Sequence, residues 1–412
     1  MALIVQKYGG TSVGSVERIK AVAQRVHRTR EAGHDVVVVV SAMGHTTDEL
    51  IDLARRVTDR PDDRELDMLL TTGEQVSIAL LTMALQARGC PAVSLTGWQA
   101  GITTEAVHGR ARILSIDTAR VRRELEQGKV VVVAGFQGVT PDGEIATLGR
   151  GGSDTTAVAL AAALGADRCD IYTDVAGVYS ADPRVVPTAR KLDVITYDEM
   201  LELAALGAGV LHPRAVECAK KHKVVLTVRS SFTEEEGTWV KEVADMEQGQ
   251  VVRGVAQDKN VARVTAVGLP NKPDTLAALF TILAEANINV DIIIQNAYDD
   301  ARISVSFSVA GEDLPRTLEV LTKHRDRFGF ASLMSEEGLA KVSIVGAGMV
   351  SNPGVAAAMF RTLSEQGIPI KMVSTSEIKV SCVVPQADAE RAVRALHTAF
   401  QLDAAERVTV HG

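Results

Sequence analysis

From the N-terminus to about Val228, short β-branched apolar runs alternate with longer amphipathic stretches. The runs Leu3–Gln6, Val36–Val40, Val93–Leu95, Val130–Ala134, Cys169–Thr173 and Val224–Val228 read as strands. Between them, apolar residues recur at helical spacing over Val16–Glu31, Asp48–Val57, Glu74–Ala87, Thr118–Gln127, Thr155–Leu164 and Asp198–Ala204. Strand–helix alternation of this kind predicts a largely parallel sheet covered on both faces. The run Val36–Val40, apolar at every position, suits its buried centre. Ligands of such sheets bind beyond the carboxyl ends of the strands, so the chemistry is expected in the loops that lead from strands into helices.

Around Thr233–Gln250 the pattern turns polar, acidic and aperiodic, as at a domain linker. Beyond it the chain repeats itself at an offset of 80 residues (Pro273 to Pro353): the stretch from Lys272 aligns with the stretch from Asn352, sharing Phe280/Phe360, Leu283/Leu363, Glu285/Glu365 and Ile288/Ile368. Each copy reads strand (Ala262–Val267; Lys341–Val345), helix, strand, alternating strand (303–307; 378–382) and second helix (Leu314–His324; Ala387–Phe400). With a closing strand this is a ferredoxin-like unit, and two copies suit a paired ligand-sensing or dimerisation module.

Composition narrows the function. Lys plus Arg total 44 against 52 Asp plus Glu, a net charge of −8, which argues against a nucleic-acid surface or a polybasic membrane patch. Four scattered cysteines form no CxxC motif, so neither a disulfide framework nor a zinc ribbon is expected. No secretory signal and no apolar stretch approaching the length of a membrane span are read, and a cytoplasmic metabolic enzyme is the default. In Thr147–Ala163 three glycines surround Arg150, Ser153 and Asp154 stand at a helix start, and the geometry suits a phosphate or carboxylate. Lys7 precedes Gly9 and Gly10 at the end of the first strand, an order unlike a Walker A loop. The loop Thr173–Arg184 offers Asp174, Tyr179, Asp182 and Arg184 as a nucleotide wall or as a plain Asp- and Pro-rich turn. Glu74, at a helix start, suits either the helix dipole or a ligand ammonium. Gly346-Ala347-Gly348 follows a strand but lacks the third glycine and the acidic residue of a dinucleotide fingerprint, which sets aside an NAD-dependent oxidoreductase.

Together, KYGGTS (7–12), SAMGHTTDEL (41–50), TTGEQ (71–75), TLGRGGSDTTA (147–157), YTDVAGVYSADPR (172–184) and STSE (374–377) resemble the aspartokinases, over essentially the whole chain. The resemblance implies an α/β fold. Its catalytic domain (1–245) would be a doubly wound, mainly parallel sheet of the amino-acid-kinase type, followed by two ferredoxin-like βαββαβ ACT domains (262–337 and 341–408). It implies MgATP-dependent phosphorylation of the β-carboxylate of L-aspartate, the first step toward lysine, threonine, methionine and isoleucine. By resemblance Lys7 stabilises the transferring phosphoryl group and Asp154 organises that lysine. Ser41, Thr47, Glu74, Arg150 and Ser153 hold aspartate, Glu74 at its ammonium and Arg150 at a carboxylate. ATP falls to Lys7, Gly9, Gly10, Thr173, Asp174, Tyr179, Asp182 and Arg184, with Mg²⁺ bridging its phosphates and few direct protein ligands. Lysine or threonine would act at Asp274, Leu276, Gln295, Val355, Ile370, Ser376 and Glu377. The assembly expected is a homodimer, or an α2β2 complex with a regulatory subunit started internally near Met246. Two positions depart from the family pattern. Gly209 stands where relatives carry a lysine near ATP, with Arg214 or Lys191 as candidate substitutes, and Asp274 replaces a glycine that admits the effector carboxylate. The rival readings are another kinase of the superfamily, acting on glutamate, N-acetylglutamate, carbamate or UMP, and a catalytically dead amino-acid sensor.

Overall fold

The computed structural model describes residues 1–206, 210–242, 250–297, 301–349 and 352–403. The chain divides into two compact units: Met1–Val178 with Lys191–Ala205 and Gly209–Met246, and Tyr179–Arg190 with Leu206–Ala208 and Glu247–Gly412. Tyr179–Arg190, read from sequence as part of the catalytic domain, thus belongs to the second unit.

The first unit is built on an eight-stranded sheet in the order Val194–Ile195, Thr238–Val240, Leu226–Ser230, Arg168–Thr173, Leu3–Tyr8, Asp35–Val40, Val130–Ala134, Ala92–Leu95. Every neighbouring pair is parallel except Leu226–Ser230 against Thr238–Val240. The valine strand is buried from Val36 to Val40, as a central strand covered on both faces requires. On one face pack helices Val16–Glu31 and Thr72–Gln86, through Ile19, Val22, Val26, Ile78, Leu81 and Leu85. Helix Val16–Glu31 starts where the Ser15 hydroxyl accepts the Arg18 amide proton. Helix Gly152–Leu164 packs on strands Leu3–Tyr8, Asp35–Val40 and Arg168–Thr173. Lys7, read as projecting from the end of the first strand, is its penultimate residue, because the strand runs to Tyr8.

A small four-stranded sheet, Ile113–Ile116, Ile102–Thr104, Gln137–Val139 and Ile145–Thr147, has no counterpart in the sequence reading. The helical run Asp63–Gln86 is long and apolar enough to cross a membrane by length and composition alone. Half of its apolar window is buried inside the protein, which is how a core helix passes the same test.

In the second unit both repeat copies share one six-stranded antiparallel sheet: Ile293–Ala297, Arg302–Val309, Gly254–Pro270, Ser332–Val345, Lys379–Pro385, Met372–Thr375. Helices Thr275–Glu285 and Leu314–Lys323 bury Leu279, Ile282, Leu283, Leu314 and Leu321 against the first copy. Helices Val355–Glu365 and Ala389–Ala399 bury Met359, Leu363, Ala392, Val393 and Leu396 against the second. Only the second copy takes its closing strand out of chain order. Residues 332–336 close the first copy against Arg263–Val267, while Gly254–Asp258, upstream of the first copy, pair with Lys341–Val345 and close the second. One long strand, offset between Asp258 and Val261, therefore serves both copies.

Candidate active site

Four loops gather at the carboxyl ends of adjacent central strands in the first unit. Where strand Leu3–Tyr8 ends, the Gly9 amide donates to the Tyr172 carbonyl at 3.3 Å and the Ser41 amide donates to the Tyr8 carbonyl at 3.1 Å. Gly10 is required by close approach: a Cβ there would stand 3.0 Å from the carbonyl oxygens of both Ala42 and Gly44. The Gly135 amide donates to the Val40 carbonyl at 3.0 Å, and a Cβ on Gly135 would stand 2.7 Å from the Ser153 Oγ. The ends of three neighbouring strands and the start of helix Gly152–Leu164 are thus stitched into one rim.

Lys7 and Asp154 meet on this rim. The Lys7 Nζ lies 2.7 Å from an Asp154 carboxylate oxygen, and each side chain is 12% exposed. Asp154 is in the first turn of its helix, where amide dipoles also favour negative charge. Glu74 is 2% exposed in the first turn of helix Thr72–Gln86. Its Oε1 accepts the Ala42 amide at 3.0 Å, and its Oε2 has no hydrogen-bond partner among the described residues. Burial pushes its pKa up to about 7, against the opposing pull of the Glu74 and Ala42 amides. A buried carboxyl with one unmatched oxygen can accept a hydrogen bond from a cation.

Ser41 and Thr47 are partly buried on the loop and helix that follow the valine strand. Arg150 is exposed and makes no ion pair among the described residues; Ser153 is buried. The turn between them is held from below. Gly151 has φ +70°, and a Cβ there would fall 2.1 Å from the His212 Cγ. His212 caps helix Pro213–His222 through its Nδ1, which accepts the Arg214 amide, and burial keeps its imidazole below the usual histidine range. Arg214 donates to the carbonyls of Leu148 at 2.6 Å and Ala111 at 3.0 Å, and Lys191 donates to the Glu236 carbonyl. Both proposed stand-ins for a cation at position 209 are engaged as supports; Gly209 itself lies outside the described residues, as does Met246.

The nucleotide candidates divide. Thr173 and Asp174 belong to the first unit, with the Thr173 hydroxyl donating to the Asp174 carboxylate at 3.0 Å. Tyr179, Asp182 and Arg184 belong to the second unit. There Arg184 grips Asp182 at 2.7 Å and holds its carboxyl below the usual carboxylate range. Ser180, in the same segment, meets the buried His397 Nε2 at 2.9 Å. The effector candidates divide too: Gln295 is on the strand at one edge of the six-stranded sheet, whereas Ser376 and Glu377 follow the strand at the other edge. Asp67 was not anticipated. It is a 1%-exposed carboxylate on helix Asp63–Leu70, and its sequence signal was only an Asp three residues before Leu70 on that helix's buried face.

Residues 2–230 match the profile of the amino acid kinase family, and residues 264–324 and 342–400 match that of the ACT domain. The chain is 62% identical over 402 residues to the aspartokinase of Bacillus sp. strain MGA3, covering 98% of each. The crystal structure of E. coli aspartokinase III in complex with aspartate and ADP, in the R-state, superposes with a TM-score of 0.81 at 28% identity, over 96% of this chain and 99% of that one. The complex of aspartokinase III with lysine and aspartate, in the T-state, gives 0.73 at 28% identity, over 97% and 99%.

Proposed function

Because the chain belongs to the aspartokinases of the amino acid kinase family, we propose that this rim transfers the γ-phosphoryl group of ATP to the β-carboxylate of L-aspartate, giving 4-phospho-L-aspartate. The observation that carries the reading is the Lys7–Asp154 pair, set among glycine turns at the strand ends. A carboxylate with a pKa near 4 is already ionised at neutral pH, so the reaction needs no general base. Its barrier is the approach of one anion to another, which fixed cations and amide dipoles lower.

Lys7, oriented by Asp154, meets the transferring phosphoryl group. Glu74 takes the aspartate ammonium on its unmatched oxygen, Arg150 takes a carboxylate, and Ser41, Thr47 and Ser153 complete the pocket. Gly9, Gly10, Thr173 and Asp174 hold ATP with Lys7. Among the described residues no group of three or more His, Cys, Asp and Glu side chains gathers at a metal-sized point, and Asp154 is committed to Lys7. That donor set fits a Mg²⁺ carried on the nucleotide's phosphates, where it would neutralise charge. Lysine or threonine acting on the ACT domains, a homodimer or an α2β2 assembly, and a cytoplasmic place in amino-acid biosynthesis complete the proposal.

The test is incubation with MgATP, L-aspartate and hydroxylamine, which traps an acyl phosphate as its hydroxamate. Aspartate-dependent hydroxamate is expected. Product from glutamate in its place would move the chain to another kinase of the superfamily, and no product would favour a sensor.

A further inference from the structure

Asp67 is a buried charge that the assignment above leaves unused. Its carboxylate accepts three donors from two separate segments, the Thr147 amide at 3.0 Å, the Thr147 hydroxyl at 2.5 Å and the Gly109 amide at 3.0 Å, and meets the His108 Nδ1 at 2.9 Å. So many donors on one buried carboxylate hold far more than their own helix. Thr147 ends the strand Ile145–Thr147, and Arg150 follows three residues later. The Ala111 amide donates to the Thr147 carbonyl at 2.9 Å, so the 108–111 segment is fastened to the same strand end. Gly149, at φ +74°, is packed so closely on that segment that a Cβ would stand 2.8 Å from the Gly109 carbonyl. The base of the glycine turn therefore rests on a platform whose two halves are joined through one carboxylate.

We propose that Asp67 is a positioning residue for the aspartate site, fixing the turn that presents Arg150; this rests on the reading of Arg150 as an aspartate ligand. Lys7 and Asp154 stand on the central strand and inside helix Gly152–Leu164, outside the platform, so the effect falls on the acceptor substrate. Loss of Asp67 lets the turn drift and weakens aspartate binding while leaving ATP binding intact.

The test uses the full chain carrying Asp67→Asn, which keeps one acceptor oxygen but turns an NH₂ group toward the Gly109 and Thr147 donors. A milder variant, Thr147→Val, removes one donor and preserves the strand's shape. KM for each substrate, kcat, thermal stability and amide hydrogen exchange are measured. For Asp67→Asn, KM for aspartate is expected to rise at least about tenfold while KM for ATP changes by less than about twofold. Thr147→Val should move KM for aspartate the same way by a smaller factor. In Asp67→Asn the amides of Thr147 and Gly109 should exchange faster, and those of Lys7 and Tyr8 should not. Equal KM shifts for both substrates, or a lowered Tm with an unchanged KM for aspartate, would overturn the positioning role. Faster exchange at Thr147 in a protein whose unaltered form makes no aspartyl hydroxamate would leave the anchor standing and sink the kinase reading instead.

Discussion

Glu74 carries the sharpest consequence at the scale of single residues. It must be ionised to hold an ammonium group, yet burial has moved its pKa from the ordinary 4.5 to about 7. Aspartate binding is therefore expected to weaken as pH falls through 7, with KM for aspartate up about tenfold by pH 6. Folding is affected in the opposite sense. The folded chain binds this proton more tightly than the unfolded chain, so ionising Glu74 costs nothing below pH 4.5, costs progressively more between 4.5 and 7, and costs its full amount above 7. Glu74→Gln should thus raise Tm at pH 8 relative to the parent, by up to roughly 3 kcal/mol of stability, while abolishing aspartate turnover. A thermal-melt series from pH 5 to 8 checks this, and a gain that does not grow with pH would exclude the buried charge as its cause. Lys7 behaves differently, because its charge is already matched by Asp154. Lys7→Ala should lower kcat by roughly 10²–10³ with the circular-dichroism spectrum retained. Near-normal turnover in a folded variant would remove Lys7 from the transfer step.

At the scale of elements, the loops are as informative as the strands they end. Gly151 is the only residue type that fits its place, with φ +70° and His212 against the position a Cβ would take. Gly151→Ala should therefore lower Tm by displacing His212 and raise KM for aspartate by moving Arg150, both readable from melts and kinetics. Unchanged values for both would mean that the turn has slack. The sequence showed the long periodic elements well: Val16–Glu31 and Val130–Ala134 carry the predicted bounds. It did not show the small four-stranded sheet, whose three- and four-residue strands are too short for a period of two to register. The second copy's upstream closing strand was hidden for another reason: Gly254–Asp258 pair with residues more than 80 positions away, and local pattern is silent on such pairing. Within the rim, residue types pointed to Lys7, Glu74 and Asp154, but Asp67 and His212 act through packing and caps that no motif announces.

Across the whole molecule, the two repeat copies are alike in fold and unlike at one backbone position. Gly354, before helix Val355–Glu365, has φ +102°, whereas Asp274, before helix Thr275–Glu285, has φ −89°. The replacement is thus accommodated without strain by a change of local conformation, and the first copy's helix start now carries an exposed carboxylate that caps nothing. A helix N-terminus attracts an anion through its free amides, and a fixed negative charge there opposes the carboxylate of an amino-acid effector. Gln295 is on the strand at one edge of the six-stranded sheet, and Ser376 follows the strand at the other edge. Asp274→Gly should accordingly make the enzyme more sensitive to lysine or threonine, with the inhibitor concentration for half effect falling about tenfold. Gln295→Ala, in the same copy, should cancel that gain. Titrations with each amino acid alone and with both together read the outcome. Identical inhibition curves for the parent and Asp274→Gly would show that the first copy's helix start takes no part in feedback.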